Sequence, residues 1–557
     1  MSPTSGGRAD AIVVGGGLAA LVATLELLTA GRRVLLLEQE PHLGGQAFWS
    51  FGGLLLVNSK EQRRLLIRDS LELAREDWMA SAGFDREPEL PLGEDYWGRL
   101  WADSYLEFAA SEMPGWLRRL GIRFFPLPAW AERGGAIPLG HGNRVPRFHI
   151  TWGTGPGLLA PFLGRLREAE LEGRLLVHLR HRVDLLVVEG GEVRGVEGAV
   201  LEPSRAGRGE PSSRREVGSF SYRAEAVLVG TGGIGGNPAL IRENWPERLG
   251  PRPEGMLQGV PAHVDGRMLQ ICQRAGARLV NLDRMWHYPE GIANWAPVWP
   301  GHGVRVLAGP SSLWLDHRGS RLPAPYFPGF DNLLALETIS AGGADHSWLL
   351  LNERIFRREL ALSGSEQNPD LTSKSWRQVL SRRGAPQPVR QFRELGSDFA
   401  VGSTVPELVA AMNRLTPESP VDPGRVAEEI GLRDRRLPGG GWMDPQLAAV
   451  QDARRQLGER LLRVAPRHPL RDPSALPLIA VRLRLLSRKT LGGLQTDLRC
   501  RVLGRDGVPI RGLYAMGEVA GFGGGGMHGY RSLEGTFLGG CLHGGRIAGR
   551  EVAQELR

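Results

Sequence analysis

Residues 10–38, DAIVVGGGLAALVATLELLTAGRRVLLLE, constrain the fold of this 557-residue chain more than any other segment. Ala11 to Val14 is a short, wholly apolar run, as expected of a strand buried on both faces of a parallel sheet. Gly15, Gly17 and Ala20 follow in GxGxxA spacing, then an apolar helix ending at Gly31. A second strand, Arg33 to Leu37, closes on Glu38. Gly15 permits the tight turn, Gly17 lets a pyrophosphate approach the backbone, and Ala20 keeps helix and sheet close. The helix N-terminus offers unpaired N–H groups and a positive dipole end to phosphates. Glu38 stands about 20 residues beyond the glycines, where an acid accepts ribose hydroxyls. Strand, glycines, helix, second strand and acid occur in order, which a lone glycine motif would not offer. The segment specifies a dinucleotide site.

The rest of the chain must form more than this unit. Its length exceeds what one hydrophobic core sustains, so two or three domains are expected. No apolar run reaches the ~18 residues of a membrane span, and the first ten residues are polar, so the expected location is cytoplasmic. Cys272, Cys500 and Cys541 lie far apart and read as reduced thiols, with neither a disulfide framework nor a zinc site. The net charge of +8 does not signal a nucleic-acid partner. Its basic residues are scattered, and nearly all are arginine; the lysines are Lys60, Lys374 and Lys489. No basic track for phosphates emerges. The surplus leaves open a weak attraction to anionic substrates or, peripherally, to an anionic membrane surface.

Beyond Glu38, the stretch EQEPHLGGQAFWSFGGLLLVNS carries Gly44-Gly45 and Gly52-Gly53 around small and polar residues. Such a stretch lets backbone pass close to a flat cofactor. A second glycine cluster, Gly230, Gly232 and Gly235, also has GxGxxG spacing. Asn237-Pro238 interrupts it, and neither a long apolar helix nor an acid-tipped strand follows, so no separate nicotinamide site is expected.

These segments, and above all LYAMGEVAGFGGGGMHGYRSLEGTFLGG near the C-terminus, resemble one flavoprotein family. Its members are fumarate reductases, succinate dehydrogenases, aspartate oxidases and 3-ketosteroid Δ1-dehydrogenases. The resemblance implies FAD as cofactor and an α/β fold: a Rossmann-type FAD-binding domain (1–282 and 485–557) with an inserted α+β substrate-cap domain (283–484). It places Gly44, Gly45, Gln46, Ser50, Gly52 and Gly53 along the pyrophosphate and the isoalloxazine. It puts an adenine contact near Val183, and Thr231, Gly232 and Gly233 over the cofactor. Gly517 and Glu518 fall at the ribityl chain. Backbone near Ser532 and Leu533 would face the flavin pyrimidine oxygen, with a helix dipole behind it. No His occurs between Gly44 and Asn58, the segment where some members attach FAD, so the FAD is expected to be non-covalent. Within the cap, residues 365–390 read as an exposed, polar connection.

The same resemblance bears on substrate. The cap stretch RGSRLPAPYFPGF keeps Arg321 but has Pro323 to Pro325 where dicarboxylate members carry Asn-Glu, and HGYRSLEG replaces their Asn-Arg-Leu-Gly-Gly. His528-Gly529-Tyr530 corresponds instead to the His-Ser-Tyr of the ketosteroid dehydrogenases. The implied reaction desaturates the bond beside a carbonyl in an apolar or cyclic small molecule, with an unidentified electron acceptor downstream. Tyr530 would polarise the carbonyl, its phenol pKa of ~10 lowered by its surroundings, with His528 beside it. Tyr326 is the candidate proton acceptor, with Tyr288 and Tyr105 as alternatives. Glu534 stands where the family has Gly and reads as holding a polar substrate group or pairing with Arg531. His287, His149 and Trp152 read equally as pocket or packing residues. The alternatives are a fumarate-, succinate- or aspartate-type dicarboxylate oxidoreductase, and a redox-sensing flavin binder without efficient turnover.

Overall fold

The computed structural model describes residues 9–130, 132, 142–328, 332–381, 384–437, 444–455, 457–531 and 533–556. A six-stranded sheet organises the first unit, in the order Arg501–Leu503, Pro509–Ala515, Ala226–Val229, Ala11–Val14, Val34–Glu38, Leu175–Leu179. All neighbours pair in parallel except the outermost hairpin, Arg501–Leu503 with Pro509–Ala515. Ala11–Val14 lies inside this sheet with every residue buried, which accounts for its unbroken apolar run.

The glycine turn and helix Leu18–Thr29 follow directly. Gly15 has φ +99°, and a Cβ there would lie 2.7 Å from the Gly230 carbonyl oxygen, so the two glycine clusters need each other's smallness. The C-terminal helix Thr536–Glu555 packs against helix Leu18–Thr29. A Cβ on Gly545 would sit 2.4 Å from the Ala19 oxygen, and one on Gly549 2.6 Å from that of Ala23. These glycines bring the two ends of the chain into contact. A three-stranded antiparallel sheet, His181–Glu189, Glu192–Leu201 and Glu216–Arg223, adjoins the parallel one.

The second unit is built on an eight-stranded sheet whose main path runs Leu313–Leu315, His346–Asn352, Leu478–Thr490, Met285–Ala293, Gly303–Leu307, Ala361–Leu362. Its core is separate and includes Trp314, Trp348, Phe356 and Phe392. The chain passes between the units along the antiparallel pair Met285–Ala293 and Leu478–Thr490. A division at 484/485 therefore falls inside a strand. Alternation along a strand shows which face is buried but not where its neighbours change unit.

Of the stretch 365–390, residues 365–372 are mostly buried, whereas the described residues of 373–384 are mostly exposed. Gln367, Asn368 and Asp370 are buried, and the segment folds into short helices, Pro369–Thr372 and Trp376–Leu380. The Trp376 ring stacks on Trp152 at 4.4 Å. The Thr372 hydroxyl lies 2.8 Å from that of Thr154, and Ser365 donates to the Phe48 carbonyl at 2.7 Å. The polar side chains that suggested solvent instead pair across the junction of the two units, as buried polar groups must. Among the described residues no helix is long and apolar enough to cross a membrane, no cluster could hold a metal ion, and the three cysteines are free.

Candidate active site

A cavity of about 1340 Å³ runs from the C-terminal ends of the parallel strands to the cap. Ligands of open α/β sheets bind at such strand ends, and a pocket for one small molecule occupies roughly 300–1,000 Å³. This cavity has room for more than one.

Its inner end is made of backbone. Gly15, Gly16 and Gly17 line it, and helix Leu18–Thr29 starts at Gly17 with no side chain capping its first N–H groups. Those donors are available to an anion. The Gly44 N–H donates to the Gly16 carbonyl at 2.7 Å, and a Cβ on Gly45 would stand 3.2 Å from the Gly17 Cα. Glu38 and Val183 also line this end. The Glu38 carboxylate accepts from the Gly16 N–H at 2.6 Å and the Glu40 N–H at 2.9 Å, and burial pushes its pKa up to about 7. The Arg208 guanidinium lies 4.2 Å over the Phe48 ring, donates to the Leu43 carbonyl and lines the cavity beside the Gly44 turn. Arg208 was not anticipated from sequence, since a single Arg in a Gly-rich loop of an Arg-rich chain carries no signal.

Farther along, Gln46, Ser50, Gly53, Thr231, Gly232, Gly517 and Glu518 line the wall. The Gln46 side-chain amide donates to Glu518 Oε2 at 2.7 Å, and the Thr490 N–H to Oε1 at 2.9 Å. Ala20, Gly44, Gly52 and Gly233 shape the wall from behind. A Cβ on Gly52 would meet Thr154 backbone at 2.7 Å, and one on Gly233 the Thr490 hydroxyl at 2.1 Å. Helix Thr536–Glu555 begins at Gly535 without a side-chain cap, and Gly535, Phe537 and Leu538 line the cavity. The positive helix end thus reaches the cavity beyond Leu533, which does not line it, and Ser532 lies outside the described residues. A narrow glycine floor, two uncapped helix ends and an acid at the far end of the floor suit FAD.

The tyrosines proposed from the motif are elsewhere. Tyr530, Tyr326 and His528 do not line the cavity. The loop Gly521–Gly529 folds back onto helices Leu71–Ala82 and Tyr96–Ala110. A Cβ on Gly523 would meet the Trp101 ring at 2.6 Å, and one on Gly529 the Ala82 carbonyl at 2.1 Å. Tyr530 is carried with it, its ring against Gly83 and 4.8 Å beneath the Arg248 guanidinium. His528 is buried, stacked on Trp78 at 5.5 Å and 2.8 Å from the Thr536 hydroxyl, and burial pulls its pKa down to about 3. The imidazole is therefore neutral and packed. Tyr326 packs on the cap core, and Tyr105 is buried with its hydroxyl 3.3 Å from the Leu55 carbonyl. His149 pairs with Ser59 at 2.7 Å, His287 stacks on Trp245 at 5.5 Å, and Trp152 belongs to the cap junction. Arg321 is held inside the cap by Asp444, at 2.7 and 2.9 Å.

The cavity brings together a different set: Tyr288, Glu290, Arg305, Lys489 and Glu534. Tyr288 and Glu290 are two apart on strand Met285–Ala293, at an irregularity in its pairing with Leu478–Thr490, and both line the cavity. Arg305 lies opposite Gly291 on one neighbouring strand, and Lys489 opposite Trp286 on the other. Glu534 enters from just before the closing helix. The Tyr288 hydroxyl donates to Glu534 Oε1 and accepts from Lys489 Nζ at 2.8 Å. Arg305 donates to the same Glu534 oxygen at 2.6 Å, lies 3.4 Å from Glu290 and covers the Tyr288 ring at 3.9 Å. Glu534 therefore pairs with Arg305.

Burial dominates this cluster's titration and splits it. It lowers Lys489 to about 7, raises Glu290 to about 7, and, with Glu534 adding to it, raises Tyr288 well above its usual value. Burial would raise Glu534 as well, but Lys489 and Arg305 hold it well below the usual carboxylate range. Two groups thus titrate near neutrality beside a phenol that keeps its proton.

Comparison with known proteins decides what the inner end holds. The family described as an FAD binding domain matches residues 10–538. This chain belongs to that family. It is an FAD-dependent oxidoreductase, a dehydrogenase, with FAD as cofactor. It is 56% identical over 561 residues to a KsdD-like steroid dehydrogenase of Mycobacterium tuberculosis, covering 100% of this chain and 98% of that one. A KsdD-like steroid dehydrogenase of Mycolicibacterium smegmatis is also 56% identical, with 98% and 99% covered. The fold matches that of 3-ketosteroid Δ1-dehydrogenase from Sterolibacterium denitrificans (TM-score 0.64, 18% identity, 99% and 100% covered). It matches equally a flavocytochrome c3 fumarate reductase (TM-score 0.63, 20% identity, 100% and 79% covered).

Proposed function

We propose that this dehydrogenase desaturates the bond beside the carbonyl of an apolar, steroid-like ketone. The observation that carries the reading is the Tyr288 hydroxyl, held between Lys489 and Glu534 on the wall of the cavity whose inner end cradles the cofactor. Bound there, FAD supplies a two-electron acceptor for hydride from the substrate carbon. Tyr288, a neutral phenol, turns its one O–H from Glu534 to the carbonyl oxygen when the ketone binds, and so acidifies the neighbouring C–H. Lys489 holds the phenol oxygen, and Arg305 holds Glu534 and Glu290 in place. Glu290, poised near 7, accepts the proton. A base with pKa near the working pH is the effective one.

Two of the arginines a dicarboxylate would call on are already engaged. Arg305, the guanidinium beside Tyr288, already faces Glu534 and Glu290, and Arg321 is committed to Asp444. The relatives named as steroid dehydrogenases support the ketone reading. The test is anaerobic bleaching of the flavin absorbance by 4-androstene-3,17-dione, succinate and L-aspartate in turn. Rapid bleaching by the steroid is expected, slowed about 10²- to 10⁴-fold in Tyr288→Phe, the usual worth of a positioned acid. Bleaching by a dicarboxylate would overturn the substrate reading, and an unslowed Tyr288→Phe would overturn the residue.

A further inference from the structure

Strand Gly303–Leu307 carries Arg305 into the cavity, and the residue just before the strand, His302, lines the cavity too. His302 is buried, its ring stacked on Trp299 at 3.6 Å and edge-on to Trp49 at 6.5 Å. The chemistry at Tyr288 makes no use of it.

The two nitrogens of this ring are not equivalent. Nδ1 lies 3.1 Å from the Val298 N–H and 3.2 Å from the Asn294 side-chain amide. A backbone N–H can only donate, so Nδ1 is the acceptor and the proton of the neutral ring sits on Nε2. Burial, with the Arg488 guanidinium adding to it, pulls the pKa down to about 3, so the ring stays neutral at ordinary pH. Among the described residues no acceptor meets the Nε2–H. The bonded edge of the ring faces the loop 294–298, which leaves the Nε2 edge for the cavity. A donor in that position is satisfied when a ligand brings the acceptor.

Charge and position choose the ligand atom. A neutral imidazole offers one N–H and no charge, which suits a carbonyl or hydroxyl oxygen; a carboxylate is better met by a charged donor. The cofactor end has its own donors at two uncapped helix ends, whereas His302 stands on the chain that carries Arg305. Gly303 pairs with Ala293, on the same strand as Tyr288 and at most ~17 Å along it. Arg488, which holds the Gly259 carbonyl, is within electrostatic reach of both Tyr288 and His302. Two donors so spaced on one cavity fit a fused-ring skeleton with an oxygen at each end.

We propose that His302 is a second substrate-binding donor, whose Nε2–H holds a neutral oxygen, carbonyl or hydroxyl, at the end of the substrate remote from the reacting ketone. The inference rests on the ketone reading above and narrows its substrate class.

The test uses the FAD-loaded enzyme and two ketones that differ only in the far oxygen, 4-androstene-3,17-dione and 4-androsten-3-one. Each is titrated anaerobically, and its half-saturating concentration is read from the rate of flavin bleaching. The native enzyme is expected to half-saturate with the dione at about fivefold lower concentration, the worth of one neutral hydrogen bond. His302→Phe keeps a ring against Trp299 and removes the N–H, so the two ketones should then half-saturate alike with FAD still bound. Equal half-saturation in the native enzyme, a comparison that needs no variant, would overturn the second donor and leave the ketone reading standing. A His302→Phe variant that keeps the preference for the dione also overturns it. So does one that releases FAD with its far-UV circular dichroism intact, since the N–H then belongs to the cofactor. If neither ketone bleaches the flavin, the ketone reading fails and the inference falls with it.

Discussion

The two ends of the cavity are built from different materials. The cofactor end is backbone: glycines at a turn, uncapped helix N-termini and a floor too tight for a Cβ. The substrate end is side chains: a phenol, a lysine, an arginine and two carboxylates, brought from strands and a loop far apart in sequence. Backbone cradles are local, so a short motif encodes them. Side-chain clusters of this kind are assembled by topology, and the same motif is silent about them.

Mutations should separate the two ends. The largest effect is expected at Gly15→Val, where φ is +99° and the Gly230 oxygen would lie 2.7 Å from a Cβ. FAD binding should be lost outright, measured as protein purified without flavin absorbance. Retained FAD would mean that the glycine floor matters less than the helix ends.

At the substrate end, the rate should be bell-shaped in pH around neutrality. Activity needs Glu290 ionised, so it rises as pH passes about 7; it needs Lys489 charged to donate to Tyr288, so it falls above about 7. Glu290→Gln should remove the rising limb and Lys489→Met the falling one, each with its FAD still bound. A limb that survives its variant belongs to another group.

A smaller effect is expected for Arg208→Ala, which removes a cation beside the Gly44 turn. FAD should bind about tenfold more weakly, ~1.4 kcal/mol, by fluorescence titration, with the pH profile unchanged. The smallest effect is expected for Tyr530→Phe. Its ring packs on Gly83 outside the cavity, so steroid bleaching should slow less than about threefold, well below what loss of a positioned acid costs. A loss matching that of Tyr288→Phe would restore the loop tyrosine to the chemistry.

The cofactor end was readable because each part depends on near neighbours. Gly15 and Gly17 precede a helix, Glu38 ends the next strand, and Gly517-Glu518 follows a strand in the same sheet. The catalytic assignment was not readable in this way. His528-Gly529-Tyr530 carries the motif, yet the loop's close approach to Ala82 and Gly83 turns Tyr530 away from the cavity. Tyr288 was named only as an alternative, and Glu534 only as a departure from pattern. Lys489 had one faint signal, being one of three lysines in an arginine-rich chain.

By itself the sequence determined a parallel strand pair with a dinucleotide cradle, which follows from period, glycine spacing and turn chemistry acting over a few residues; the returning C-terminal segment and the cap were implied only by the resemblance. Only the tertiary structure decided that Tyr288, Glu290, Arg305, Lys489 and Glu534 line one cavity. Their proximity comes from the register of Met285–Ala293 between Gly303–Leu307 and Leu478–Thr490, and from the closing helix that delivers Glu534. Register between strands almost 200 residues apart is set by packing of the whole sheet, a property no local window of sequence contains.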